Sequence, residues 1–271
     1  MMGAIRSVCL RMLAVTGTAL AHPVGAGEDE AALAKAVQNP VADIISVPFQ
    51  NNTNFDAGPR EGTQNILNIQ PVVPINLDAD WNLITRTIVP IVTQPGAVPG
   101  QDSTTGLGDI QLTAFLSPAK PHGVTWGVGP IVQLPTSTSD RLGNDNWGLG
   151  ASAVALRMDG PWVFGALVNN VWSVGGGSDS SYNNFLLQPF VNYNFPEHPG
   201  RYLTFSPVVT ADWKADTGDR WTVPLGLGIG QIIKIGKLPL NLQASAYYNV
   251  EKPEYGPDWQ LRIQVALLFP K

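Results

Sequence analysis

The chain has 271 residues, 44% of them apolar and 14% charged, with 28 Gly, 23 Pro and a formal charge of −5. That length allows one large β domain or two small ones, and low charge with frequent Gly and Pro suits strands and turns better than helices. Mild acidity makes a poor nucleic-acid binder, and a single cysteine, Cys9, excludes an intrachain disulfide framework or a multi-Cys metal site.

Residues 1–21 read as a cleaved secretory signal. Arg6 and Arg11 supply the positive region, residues 12–20 the apolar run, and Ala19-Leu20-Ala21 a small-x-small cleavage site. A second candidate cut follows Val24-Gly25-Ala26. The competing reading is a short buried helix; the run is too short to span a bilayer. Cys9 precedes the apolar run and does not resemble a lipid-attachment cysteine. Loss of Arg6 and Arg11 moves the charge from −5 to −7, since −5 − 2 = −7.

Residues 22–42 form an N-terminal segment. Positions 28–38 favour a helix, with acids first and Asn39-Pro40 stopping it. Two roles stay open: a periplasmic tether, or a plug folded into a lumen. Pro48 and Asn51 to Asn54 make the following strand unusually polar, which suits contact with a plug.

Residues 43–271 alternate with period two, the strand period. Twelve segments fall near 43–55, 65–77, 81–93, 107–116, 123–134, 146–158, 161–174, 182–195, 201–213, 220–233, 237–250 and 259–269. The last is cleanest: Trp259, Leu261, Ile263, Val265, Leu267 and Phe269 share one face, and Gln260, Arg262 and Gln264 the other. Alternation is weakest over 146–174. Long connections (56–62, 94–105, 136–145, 175–181, 214–219, 251–257) alternate with short ones (78–79, 119–122, 159–160, 196–199, 236). This pattern predicts an all-β fold: a transmembrane antiparallel up-and-down barrel of about 12 strands with a short N-terminal helix. Long loops then point outward, and tight turns and both termini face the periplasm.

Tryptophan placement agrees. Trp147, Trp172, Trp213, Trp221 and Trp259 sit at long-loop ends; Trp81, Trp126 and Trp162 sit at short-turn ends, with Phe195 and Phe269. Amphipathic rings prefer the headgroup level, so two membrane girdles result. A soluble sandwich is the alternative, but it would need a Trp-rich core close to its loops. Pro71, Pro74, Pro90, Pro130, Pro189, Pro207 and Pro224 each remove a ladder donor, a strain on the barrel reading that bulges can absorb.

The inner faces carry Asn68, Gln70, Arg86, Asp109, Gln111, Gln133, Gln188, Asn192, Asp212, Gln243, Tyr247, Arg262 and Gln264. They line a polar channel or simply fill the interior, with Arg86 and Asp109 on adjacent strands as a candidate ion pair. The candidate solute-contacting set is Arg86, Asp109, Gln111, Gln133, Gln188, Asn192, Gln243, Arg262 and Gln264. No catalytic, cofactor or metal motif stands out. The histidines are His22, His122 and His198, the latter two in short turns, so a Ser–His pair on the barrel wall is not expected. Gly226-x-Gly228-x-Gly230 lies inside a strand and reads as relief of inner-wall crowding rather than a phosphate cradle.

Seven stretches carry a resemblance: NPVADIISVPFQNN from Asn39, WNLITRTIVP from Trp81, GLGDI from Gly106, FLSPAK from Phe115, GALVNNVWS from Gly165, FLLQPFVNYN from Phe185 and DRWTVPLG from Asp219. They resemble a Gram-negative outer-membrane, transporter-like β-barrel family related to the meta-pathway of phenol degradation, over residues 39–271. The resemblance implies an outer-membrane barrel passing or binding small solutes, aromatic or hydrophobic ones included, and brings no catalytic motif. Phe269 stands two residues short of the usual terminal aromatic. The expected partners are outer-membrane lipid and a small-molecule solute, not nucleic acid. The competing functions are an outer-membrane lipid-modifying enzyme and a closed structural or adhesive barrel.

Overall fold

The computed structural model describes residues 24–177 and 181–270. The signal assigned to 1–21 lies outside the described residues. One helix, α1 (Val24–Val37), precedes fifteen strands that form one sheet. They are β1 (Ile45–Ala57), β2 (Gly62–Ile69), β3 (Val72–Asn76), β4 (Trp81–Gln94), β5 (Thr104–Leu107), β6 (Ile110–Pro118), β7 (Val124–Leu134) and β8 (Asn146–Asp159). Then follow β9 (Trp162–Gly176), β10 (Asn183–Asn194), β11 (Arg201–Phe205), β12 (Val209–Asp212), β13 (Trp221–Ile235), β14 (Leu238–Glu251) and β15 (Trp259–Phe269).

Three wall strands are each broken in two, β2/β3, β5/β6 and β11/β12, so the wall has 15 − 3 = 12 strands. β1 pairs antiparallel with β15, from Ile45 opposite Phe269 to Phe55 opposite Trp259. That pairing closes the barrel and leaves the sheet no edge.

The prolines explain the breaks. Pro71 sits between β2 and β3, and Pro207 between β11 and β12. Pro90 faces the β5/β6 break, where its carbonyl accepts from the Gly108 amide at 2.9 Å. Pro224 sits at a register shift between β13 and β14. A residue without an N–H cannot donate to the ladder, so the chain breaks or bulges there. Two short turns are equally local in origin. Gly160 (φ 53°) and Gly236 (φ 62°) each open a two-residue hairpin, and positive φ at that position favours Gly.

The barrel is apolar outside, and its polar side chains are gathered within beside an apolar cluster. Outward residues such as Leu227 and Ile263 are 56% and 43% exposed, whereas Asn241 and Arg262 inside are 2% and 4% exposed. A water-soluble sandwich has the opposite distribution. All eight tryptophans lie on this outer surface near strand ends, and several meet edge-on. Trp81 and Trp126 are 6.0 Å apart, and Trp213 and Trp221 are 5.4 Å apart, by ring centroids.

α1 begins earlier than the helix expected over 28–38 and ends one residue sooner. It lies across the short-turn end of the barrel. Ala34 is fully buried in a cluster with Ile44, Tyr202, Ile232, Ala266 and Leu268. Lys35 Nζ donates to the Gly160 carbonyl at 2.8 Å, and Asp29 lies 3.9 Å from Lys234. The chain then runs inward, and Val41 joins a second cluster with Ile84, Phe115, Leu167 and Phe190 on the inner wall.

Candidate functional site in the barrel lumen

Among the described residues, three spaces follow one another along the lumen. The innermost, about 170 Å³, is bounded on one side by Gln38, Asn39 and Pro40 and on the other by the wall. A middle chamber of about 200 Å³ shares Gln50, Gln70, Arg86, Leu167, Gln188 and Arg262 with it. An outer space of about 380 Å³ shares Gln111, Asn169 and Leu186 with the middle one and reaches Asp212, Asp219 and Arg220 near the long loops. The spaces therefore form a path from the loop end to the inner side of the N-terminal segment.

Four adjacent strands of the wall carry a belt of amides. Gln260 Nε2 donates to Asn54 Oδ1 (2.9 Å), Asn54 Nδ2 to Gln64 Oε1 (2.7 Å), and Gln64 Nε2 to Gln94 Oε1 (2.6 Å). The belt crosses β15, β1, β2 and β4 at one level, because these positions share the inward parity. The polarity of β1 is thus used in the barrel wall, inward at Asn52 and Asn54 and on the outer face at Asn51, whose ladder partner is Ile263. The expected contact of Asn51 to Asn54 with a plug is not formed: Asn52 and Asn54 bond to Arg262, Gln260 and Gln64, and Asn51 bonds Asn65 at 2.9 Å.

Arg262 anchors the next level. Its Nε donates to Asn52 Oδ1 (3.1 Å), its Nη2 to Gln260 Oε1 (3.1 Å) and its Nη1 to the Ser206 carbonyl (3.0 Å), and its guanidinium lies 4.9 Å from the Tyr247 ring centre. The Ser206 carbonyl lies at the β11/β12 break, and it also accepts from the Tyr247 hydroxyl at 3.2 Å. The broken strand leaves this acceptor without a ladder partner, and Arg262 and Tyr247 satisfy it.

Arg86 differs. It donates from Nη2 to Gln70 Oε1 at 2.6 Å, and its remaining surface faces the chambers. The expected pairing of Arg86 with Asp109 does not occur. Asp109 instead accepts from the backbone of Ser137 (3.1 Å) and Asn144 (2.7 Å) and from Gln133 Nε2 (3.2 Å). Two backbone donors from one loop offer a carboxylate more than a distant guanidinium does, so Asp109 is held at the 135–145 loop. Gln133 Oε1 also accepts from Gln111 Nε2 at 3.0 Å.

The nine candidate solute-contacting residues therefore separate. Arg86, Gln188 and Arg262 border both inner chambers, and Gln111 borders the middle and outer ones. Asn192, Gln243 and Gln264 border the innermost chamber beside the N-terminal segment. Gln133 and Asp109 border none of the three. Phe115, Ile131, Leu167 and Phe190 give the lumen an apolar lining beside the belt; Phe115, Ile131 and Phe190 share the inward parity of Gln111, Gln133 and Gln188. Tyr202 and the Gly226-x-Gly228-x-Gly230 repeat belong to the inner wall too. A Cβ on Gly230 would enter the Tyr202 ring, and one on Gly228 would meet Ser245. His122 and His198 lie in the short turns, away from the chambers.

A closed antiparallel barrel of twelve strands, lipid-suited outside and amide-lined inside, defines a membrane-spanning β-barrel. Residues 57–257 match the family model described as "Putative MetA-pathway of phenol degradation", and the chain belongs to that family. Among solved structures it is similar to an outer membrane channel from Pseudomonas putida F1. That likeness has a TM-score of 0.64 and 19% identity, and covers 85% of this chain and 97% of the other. A looser likeness, TM-score 0.44 and 14% identity, is to outer membrane phospholipase A from Escherichia coli, covering 83% of this chain and 96% of that one. No curated protein sequence is close enough to count as a relative.

Proposed function

We propose that the protein is an outer-membrane channel of a Gram-negative bacterium, taking small solutes from the loop end into the lumen. The observation that carries this reading is the succession of three chambers ending at Gln38, Asn39 and Pro40. Passage is passive: long loops shape entry, and the amide belt and the two lumen arginines set selectivity. Residues 24–44 act as the stopper at the periplasmic end, and transport needs this segment to shift. Export by a signal at 1–21 and seating of the eight tryptophans at the two lipid headgroup levels complete the reading. Family membership and a fold shared with a solved outer membrane channel support it. An enzyme is disfavoured on this reading because the serine and threonine hydroxyls of the chambers have no histidine or lysine beside them to act as a base among the described residues.

Entry of small solutes into liposomes carrying the refolded protein tests the proposal. Faster swelling than in protein-free liposomes is expected. Liposomes that stay impermeable to every small solute tried, with or without residues 24–42, would refute it.

A further inference from the structure

We infer that the layer shared by the inner and middle chambers is a binding subsite for a small organic carboxylate with an apolar body. This deepens the channel reading and rests on it for the route of entry. The first observation is charge. Arg86 and Arg262 both border both chambers, and no Asp or Glu borders either one among the described residues. Every hydrogen bond the two guanidinium groups make there goes to a neutral oxygen, of Gln70, Asn52, Gln260 or Ser206. Those partners orient the groups and leave two positive charges uncompensated. Charge away from bulk water calls for an opposite charge, and an intramembrane arginine marks a site by default.

The second observation is donor count. Arg262 spends three of its donors on the wall and is 4% exposed, so it supplies field more than contacts. Arg86 is half-buried and spends one donor, on Gln70, among the described residues. A guanidinium carries five N–H groups in a fork that matches a carboxylate. Arg86 thus keeps a free edge turned to the cavity.

The third observation is the apolar wall. Leu167 and Phe190 face the inner chamber, and Phe115, Ile131 and Leu167 face the middle one. A ligand that suits both walls has an anionic head and an apolar body. A small inorganic anion would use only the first wall, and a neutral aromatic only the second.

Calorimetric titration of the refolded full chain in detergent with benzoate, and with benzamide as the neutral molecule of similar shape, tests the subsite. A charge-assisted hydrogen bond contributes roughly tenfold to hundredfold in affinity, so benzoate should bind at least about tenfold more tightly than benzamide. Arg86→Gln should erase that preference, and Arg86→Lys should keep part of it. Heat-modifiable gel migration confirms that each variant is folded. Equal affinity for the two molecules, no binding of either, or a benzoate preference unchanged in folded Arg86→Gln would overturn the inference. Benzoate preference in a protein that admits no solute into liposomes would uphold the subsite while refuting the channel reading.

Discussion

Gln38 and Asn194 exchange two hydrogen bonds where the N-terminal segment meets the barrel wall. Gln38 Nε2 donates to Asn194 Oδ1 at 2.9 Å, and Asn194 Nδ2 donates to Gln38 Oε1 at 3.2 Å. Asn194 also donates to the Pro161 carbonyl at 3.0 Å, which ties the pair to the β8/β9 turn. This reciprocal pair joins residues 156 positions apart and sits at the end of α1, beside the innermost chamber. In the proposed channel it is the polar part of a seal whose apolar part is Ala34 against Tyr202, Ile232 and Leu268.

The pair makes the seal adjustable. A net hydrogen bond contributes about 0.5–1.5 kcal/mol, so Gln38→Ala and Asn194→Ala should each loosen the segment modestly. A double-mutant cycle on the frequency of channel opening should give a coupling of about 1 kcal/mol. Strictly additive effects would show that the two amides do not act as a unit.

Ala34 gives the opposite sensitivity. It is fully buried, so a larger side chain has no room without displacing the helix. Ala34→Trp should raise solute entry into liposomes while leaving heat-modifiable migration unchanged, because the barrel wall is not touched.

Asp109 holds an outer loop, and its loss should show there. Ser137 and Asn144 amides both point at its carboxylate, and Arg141 in the same loop donates to the carbonyls of Pro95 (2.6 Å) and Asp102 (3.2 Å). Asp109→Ala should make the bond after Arg141 the first trypsin cut in the folded protein. An unchanged cleavage rate would contradict the clamp.

Gly230 tests the inner-wall packing. A methyl group there meets the Tyr202 ring, which is buried and bonded to Asn241 Oδ1 at 2.9 Å. Gly230→Ala should destabilise the barrel by about 1–3 kcal/mol, read as a lower temperature for the shift in gel migration. Tyr202→Phe keeps the ring and should not rescue it, whereas Tyr202→Ala should rescue part.

Much of the wall was legible in the sequence because a strand repeats every two residues. The face shared by Trp259, Leu261 and Ile263 and the opposite face of Gln260 and Arg262 follow from that period. Prolines 71 and 207 signalled local irregularity, and both stand in breaks of the wall. The apolar half of the lumen was not legible. Leu156, Val163 and Leu167 face inward on strands that are apolar on both sides, so alternation carries no sign there. The partner of Asp109 was equally hidden. A carboxylate near two loops and a guanidinium can be assigned only once the loop amides are placed. The one fully buried residue of α1 among the described residues is an alanine, which carries no signal of its own in the sequence.

The most direct measurement is single-channel conductance in planar bilayers of the intact protein and of a variant lacking residues 24–42. The account predicts a small conductance for the intact chain and a several-fold larger one for the variant, since the innermost chamber then opens to the periplasmic side. Equal conductance in the two proteins, with both folded by gel migration, would contradict the claim that this segment closes the lumen.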